Sequence, residues 1–433
     1  MKFVSTFIAA VLLSSGFAIA QGPQAPAGPP SPVVQADGKV TFNLLAPNAT
    51  SVSVEGDYPI TVNTHASRKV AQLVKDDKGV WSVTVGPLKP DFYVYTFTVD
   101  GLRTLDPRNL HVTHDGRVSN WFIVPGALSS NYLVNDVPHG RLTQVWYPSP
   151  AFNLTRRLVV YTPPGYDDGT KRYPVFYLYH GGGEDELTWT ELGRAPEILD
   201  NLIAQGKMVP MIVVMPAWNG RTAIAPIDAN PTTSAPQSNA TPQPGNAPAG
   251  QGAQGGANPT PVTAFPNSVV TDLIPWVDKN YRTIADRDHR AVAGTSAGGT
   301  NAILTGLQHL DQFSWIGLLS PALARVPNSE IKIPLPADAD TRRGPDLGTS
   351  IDPVKFAANF PDMGPGWNQR IHLLYFSVGG SEGLLEEEKA GAKVFDEKGV
   401  KYSWMTRPDY GHEWAFWRQD LIDFGSQLFK TTK

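Results

Sequence analysis

The sequence contains no cysteine, which excludes disulfides, a thiolate nucleophile and any cysteine metal site. Neither sign of charge dominates, since 36 Lys and Arg stand against 40 Asp and Glu for a formal net charge of -4. No basic excess points to nucleic acid, and no charge block points to an acidic partner. Beyond the first twenty residues no apolar run approaches the roughly 20 residues of a bilayer span. Histidine is sparse, with nine in 433 residues, and only His111 and His114, in HVTHDG, stand close together. That pair is too small for a metal centre, so no metal and no cofactor is expected. What remains is 41% hydrophobic and 10% aromatic, the profile of a soluble globular chain long enough for two domains.

The N-terminus departs from that profile. Lys2, an apolar run over 7–13 with Phe17, and Ala18-Ile19-Ala20 follow the layout of a secretory signal peptide over 1–20, cleaved before Gln21. A secreted or periplasmic, bacterial protein is therefore expected. Residues 21–32 (QGPQAPAGPPSP) read as a spacer. Over 33–126 apolar and polar residues alternate between frequent turn signals, as in VTFNLL, SVSVEG and YVYTFTVDG. That pattern predicts a small antiparallel β-sandwich of immunoglobulin-like type. A linker is expected over 127–139. From 140 to 433 short apolar strands alternate with helix-length segments over 190–205, 269–281, 384–398 and 415–428. The alternation predicts an α/β domain with a mostly parallel sheet covered on both faces. Residues 228–262, almost free of charge and bulky apolar side chains, read as a flexible surface insertion.

The pattern G-x-S-x-G occurs twice, at Gly294-Thr295-Ser296-Ala297-Gly298 and at Gly379-Gly380-Ser381-Glu382-Gly383. A serine hydroxyl attacks an ester only when a histidine takes its proton, a carboxylate orients that histidine and N–H donors meet the oxyanion. In α/β-hydrolases the chain order is oxyanion glycines, serine, acid, histidine. Ser296 satisfies that order: YLYHGGG lies upstream and His412 lies downstream in DYGHEWAFWR. Ser381 has no glycine strand end between itself and Ser296 and too little chain after it. The second copy reads instead as the acid loop, with Glu382 as the acid and Asp409 second. Glu386, Glu387 and Glu388 fall on the helix over 384–398 and are expected to face solvent. His180 is expected to shape the glycine turn.

HGGGEDELTW, ILDNLIAQGKMVPMIVVMP, DLIPWVDKNYR, RAVAGTSAGG and GHEWAFWRQDLIDF together resemble the esterase D-like α/β-hydrolases of the carbohydrate esterase 1 group. These include feruloyl and acetylxylan esterases, with enterochelin esterases as relatives. The resemblance covers about residues 140–430. GVWSVTVGPLKPDFYVYTFTVDG resembles the early-set, glycogen-binding-type modules that precede such esterases. The resemblance implies Ser296 as nucleophile, His412 as general base and the N–H groups of Gly182 and Ala297 as the oxyanion hole. Two positions depart from the family pattern: Ala297 replaces a bulkier residue, and Glu382 stands where aspartate is usual. Trp189 and Trp414 are expected to stack on a sugar or aromatic acyl group, and Trp417 to pack in the core. The expected partner is an ester-bearing carbohydrate or aromatic-acyl substrate. The alternatives are an acyltransferase or siderophore esterase on the same triad, or a binding protein on an esterase scaffold.

Overall fold

The computed structural model describes residues 28–57, 69–114, 118–219, 263–332 and 349–430. The leader over 1–20, most of the spacer over 21–32 and the insertion over 228–262 lie outside the described residues.

Alternation dictates the first domain. In β2 (Val40–Leu45), Val40, Phe42 and Leu44 point inward while Thr41 and Asn43 stay partly exposed. The strand pairs with β1 (Val33–Val34) on one side and directly with β6 (Val80–Val85) on the other, and β6 carries β5 (Val74–Lys75) at its far edge. A second sheet runs β4-β3-β7-β10-β9. Its strands are β3 (Val52–Gly56), β4 (Lys69–Gln72), β7 (Asp91–Val99), β9 (Val112–His114) and β10 (Val118–Val124), with β8 (Leu102–Thr104) paired to β7. Phe42 meets Tyr95 at 4.8 Å between ring centroids, across a core that also holds Val54, Trp81, Phe97 and Phe122. The two sheets form an all-β sandwich.

The second domain is built on one eight-stranded sheet, in the order β11-β12-β14-β13-β15-β16-β19-β20. Here β11 (Arg141–Ser149), β12 (Leu154–Thr162) and β14 (Ile212–Pro216) make antiparallel pairs. From β14 onward every pair is parallel, through β13 (Val175–Tyr179), β15 (Arg290–Thr295), β16 (Trp315–Leu319), β19 (Leu373–Gly379) and β20 (Ser403–Arg407). A two-stranded ribbon, β17 (Glu330–Lys332) with β18 (Thr349–Ile351), stands apart. The sheet is mostly parallel, as its apolar strands predict, and both faces are covered. On one face Tyr177 and Tyr179 pack with residues of α3 (Ala264–Ser268), α4 (Ile274–Asn280), α5 (Ala297–Gln308), α6 (Pro353–Ala358) and α7 (Leu385–Glu397). On the other, Phe176 and Leu178 pack with α1 (Thr188–Glu191), α2 (Ala195–Ala204) and α8 (Trp414–Gly425).

Two helical expectations change in detail. The segment over 190–205 is two helices, because Gly193 and a left-handed Arg194 (φ 50°) break it, and a Cβ at Gly193 would strike Trp189 at 2.5 Å. The segment over 269–281 contains a π turn, Val269–Leu273, before α4. Among the described residues no helix is long and apolar enough to cross a membrane.

The sandwich and the α/β domain share a core. Phe92 and Val94 of β7 and Tyr132 of the segment over 127–139 join the cluster of Trp189, Leu192, Phe416 and Trp417. Inside that contact the buried Arg418 guanidinium donates to Asp91 Oδ1 at 2.8 Å, to the Phe92 carbonyl at 2.9 Å and to the Leu192 carbonyl at 2.9 Å. Nearer the rim, Glu191 accepts from the His114 backbone N–H at 2.5 Å. His114 also stands 3.5 Å from Asp185.

Candidate active site

Parallel strands put their carboxyl ends on one edge of a sheet, and four loops leave that edge here. They follow β13, β15, β19 and β20, and they carry the glycine turn, Ser296, Glu382 and His412. Ser296 sits between β15 and α5 at φ 53° and ψ -123°, a sparsely populated positive-φ conformation that costs a non-glycine residue roughly 1–3 kcal/mol. Its backbone is held there: its N–H donates to the Leu319 carbonyl at 3.0 Å, and its carbonyl accepts from Thr300 and Ala322. Strain maintained by surrounding bonds at a nucleophile is the signature of the strand-turn-helix elbow.

The motif glycines have a steric reason. A Cβ on Gly298 would lie 2.2 Å from the His180 carbonyl oxygen, and one on Gly294 would lie 2.4 Å from the Gly298 carbonyl oxygen. The helix start therefore presses against the end of β13, which brings the glycine turn beside the serine. A Cβ on Gly182 would come 3.6 Å from the Ala297 Cβ, so the two expected oxyanion positions are neighbours. Gly298→Ala is expected to cost about 1–3 kcal/mol, as overpacking does, read as a lower urea midpoint. An unchanged midpoint would show that the turn moves aside freely.

The acid loop explains the second G-x-S-x-G. A Cβ on Gly379 would lie 2.5 Å from the Tyr410 carbonyl oxygen, and one on Gly380 would lie 2.6 Å from Pro408 Cα. Ser381 donates its backbone N–H and its hydroxyl to Tyr410 O, at 3.0 and 2.9 Å. Ser381 thus ties the acid loop to the histidine loop. Glu382 is buried, and its Oε2 stands 3.5 Å from His412 Nδ1 and accepts from Ser320 Oγ at 3.0 Å. Asp409 is exposed and pairs with Lys89 at 3.2 Å, so the carboxylate beside His412 in this structure is that of Glu382. His412 is edge-on to Trp417 at 4.9 Å between centroids.

Three expectations about side chains need correction. Glu387 and Glu388 do not face solvent: both are buried on α7, and only Glu386 is exposed. Helical spacing turns these two toward the sheet, where Glu387 accepts from the Ala324 N–H at 2.7 Å. Trp189 offers no face to a substrate, since it is 1% exposed and its indole N–H donates to the Tyr179 carbonyl. It packs edge-on against Trp414 at 4.9 Å, and Trp414 against Trp417 at 5.2 Å, a brace that leads to His412. Trp414 is partly buried.

Two residues that sequence reasoning passed over belong to the site. Glu184 accepts from the Gly181 N–H at 2.6 Å and from the Trp414 indole at 3.1 Å, which fastens the glycine turn to the helix after His412. Ser320, buried and left-handed at φ 45°, holds Glu382. Glu184 directly follows the glycine triplet and was open to notice; Ser320 carries no motif. His180, 1% exposed, stacks against Trp218 and its Nδ1 lies 2.8 Å from the Gly181 carbonyl. His111 stacks against Trp121 while His114 meets Asp185, so the two form no joint site. Among the described residues no three His, Cys, Asp or Glu are grouped for a metal ion.

Comparison with known proteins supports this layout. Residues 149–427 match the putative esterase family, and residues 31–112 match carbohydrate-binding module 48, the isoamylase N-terminal domain. An endo-1,4-beta-xylanase/feruloyl esterase from Xylanibacter ruminicola is 33% identical over 405 residues, 92% of this chain and 46% of that protein. An esterase from Mycobacterium tuberculosis is 29% identical over 182 residues, 40% of this chain and 31% of that protein. The chain spans less than half the length of these curated relatives. Among solved structures, the enterobactin esterase of Shigella flexneri in the presence of enterobactin has a TM-score of 0.59 at 14% identity, over 90% of this chain and 92% of that one. A ferulic acid esterase from Anaeromyces mucronatus in complex with ferulic acid has a TM-score of 0.51 at 19% identity, over 70% of this chain and 95% of that one. At such identities the likeness is one of fold, an α/β-hydrolase sheet. Since the matched segment 149–427 is most of the chain and carries all four loops of the site, the chain belongs to the putative esterase family, with a carbohydrate-binding-module-48 domain at its N-terminal side.

Proposed function

We propose that the protein is a secreted serine esterase that cleaves hydroxycinnamoyl esters, of the feruloyl type, on plant polysaccharide. The observation that carries the reaction class is the strained Ser296 elbow, with Gly182 packed beside Ala297 and Glu382 beside His412. His412 turns Nδ1 toward Glu382, so Nε2 is the nitrogen that takes the Ser296 proton. Ser296 Oγ attacks the ester carbonyl, and the oxyanion accepts from the N–H groups of Gly182 and Ala297. His412 returns the proton to the leaving alcohol. Water, deprotonated by the same imidazole, then attacks the acyl-enzyme and releases the acid and Ser296.

The aromatic acyl group rests on the feruloyl esterase relative and on the ferulic acid bound to a structural neighbour. The export site rests on the leader pattern over 1–20. The likeness to the enterobactin esterase extends over both domains, which makes a catecholate triester the competing substrate. The test is hydrolysis of methyl ferulate, p-nitrophenyl acetate, acetylated xylan and enterobactin by the mature chain. Release of ferulate, at a higher kcat/KM than the loss of acetate from xylan or the opening of enterobactin, is expected. Preference for acetylated xylan or enterobactin would move the substrate; no turnover by the folded protein would overturn the esterase reading.

A further inference from the structure

Behind the acid loop lies a carboxyl group that the reaction as written does not use. Glu388, on the first turn of α7, is completely buried, and its side chain faces that of Glu382. Among the described residues no N–H or hydroxyl reaches either oxygen of Glu388, nor Oε1 of Glu382. The other charged groups facing Glu388 are acidic as well: Glu387 on its own helix and Asp420 on α8. Glu387 is satisfied by the Ala324 N–H, and Asp420 by Ser377, by Tyr375 and by Arg407 at 3.6 Å. Two carboxylates in contact, out of water and without a cation between them, cannot both be ionised. One proton must be shared, and its place is decided by the neighbours. Oε2 of Glu382 accepts from the Ser320 hydroxyl and stands 3.5 Å from His412 Nδ1, which favours charge there. Glu388 has no such donor.

We infer that Glu388 is protonated in the folded protein and donates its O–H to Oε1 of Glu382, making it a positioning residue that holds the triad carboxylate toward His412. This inference takes the proposed triad as its frame. It also gives a reason for glutamate at 382. The loop carboxylate is gripped on both oxygens, by Ser320 on one side and by Glu388 on the other, and a hydrogen-bonded carboxylate of fixed orientation is what the histidine needs. Burial, followed by repulsion from Glu382 and Glu387, holds the Glu388 carboxyl well above its ordinary value of 4.5.

Stability follows with a definite sign. Below about pH 4.5 both folded and unfolded chains keep this proton. As pH rises the unfolded chain releases it and the folded chain does not, so the wild type loses stability until the folded group titrates. Glu388→Gln keeps a neutral donor of the same shape and has no proton to release. The Tm of E388Q minus that of the wild type should therefore widen steadily from pH 5 to pH 8. E388Q should keep kcat on methyl ferulate within about threefold. Glu388→Leu fills the space without a donor and should lower kcat about 100-fold, the scale of a misplaced catalytic group. A Tm difference that does not widen with pH would overturn the shared proton. Equal kcat for E388Q and E388L would overturn the positioning role. The Tm series needs no turnover, so it reads the proton even if the wild type cleaves no ester and even if E388L does not fold.

Discussion

Ser296→Ala is expected to lower kcat for ester hydrolysis by about 10⁵–10⁶-fold while leaving the fold intact. The magnitude is that of removing a nucleophile whose base and oxyanion donors remain, which still leaves about 10³-fold catalysis over water. The fold survives because the bonds that hold position 296 belong to its backbone: the N–H to Leu319, and the carbonyl to Thr300 and Ala322. The left-handed φ of 53° is already borne by a residue with a Cβ, so alanine adds no new strain. Burst-free kinetics on methyl ferulate beside a melting curve within a degree or two of the wild type would establish both halves. Residual turnover of a per cent or more would place the nucleophile elsewhere.

Breaking the ion pair between the two domains should have the largest effect on stability. Arg418 is 1% exposed and Asp91 4%, and the guanidinium meets the carboxylate at 2.8 Å. Arg418→Leu leaves a buried carboxylate whose only other partner among the described residues is the Phe92 N–H at 2.7 Å. Loss of one partner from such a pair costs about 3–5 kcal/mol, which lowers Tm by roughly 10 °C for a domain of this size. The double variant Asp91→Leu with Arg418→Leu should recover much of that loss, since two apolar side chains replace two desolvated charges. Differential scanning calorimetry of the three proteins decides it. A single variant as stable as the wild type would mean that water reaches Asp91 and that the ion pair does not hold the domains together. Because Arg418 lies six residues after His412 on one continuous turn and helix, the loosened contact should also slow turnover.

Much of this protein is legible in its residue order. Alternation in VTFNLL and continuous apolar runs such as VFYLY encode which face of each strand is covered, and so separate a sandwich from a buried parallel sheet. Order along the chain, with glycines before serine, serine before acid and acid before histidine, is enough to choose Ser296 over Ser381. That choice depends on chemistry every ester-cleaving triad shares, and chemistry of that kind is written in local motifs.

Sequence spacing was silent where the deciding neighbour is distant along the chain. Glu386, Glu387 and Glu388 look alike in a row, but helical rotation exposes the first and buries the other two, Glu387 against Ala324 and Glu388 against Glu382. Trp189 and Trp414 look alike as aromatic candidates, yet the first is buried against the end of β13 while the second stays partly exposed. Ser320 becomes the partner of Glu382 because β16 and β19 lie side by side. The sequence by itself determined the fold class, the order of the proposed catalytic groups and the reaction proposed for them, since periodicity and motif are local. Tertiary structure alone decided which carboxylate faces His412, which glutamates of α7 are buried and how tightly the sandwich is locked, since burial and charge compensation depend on residues that only folding brings together.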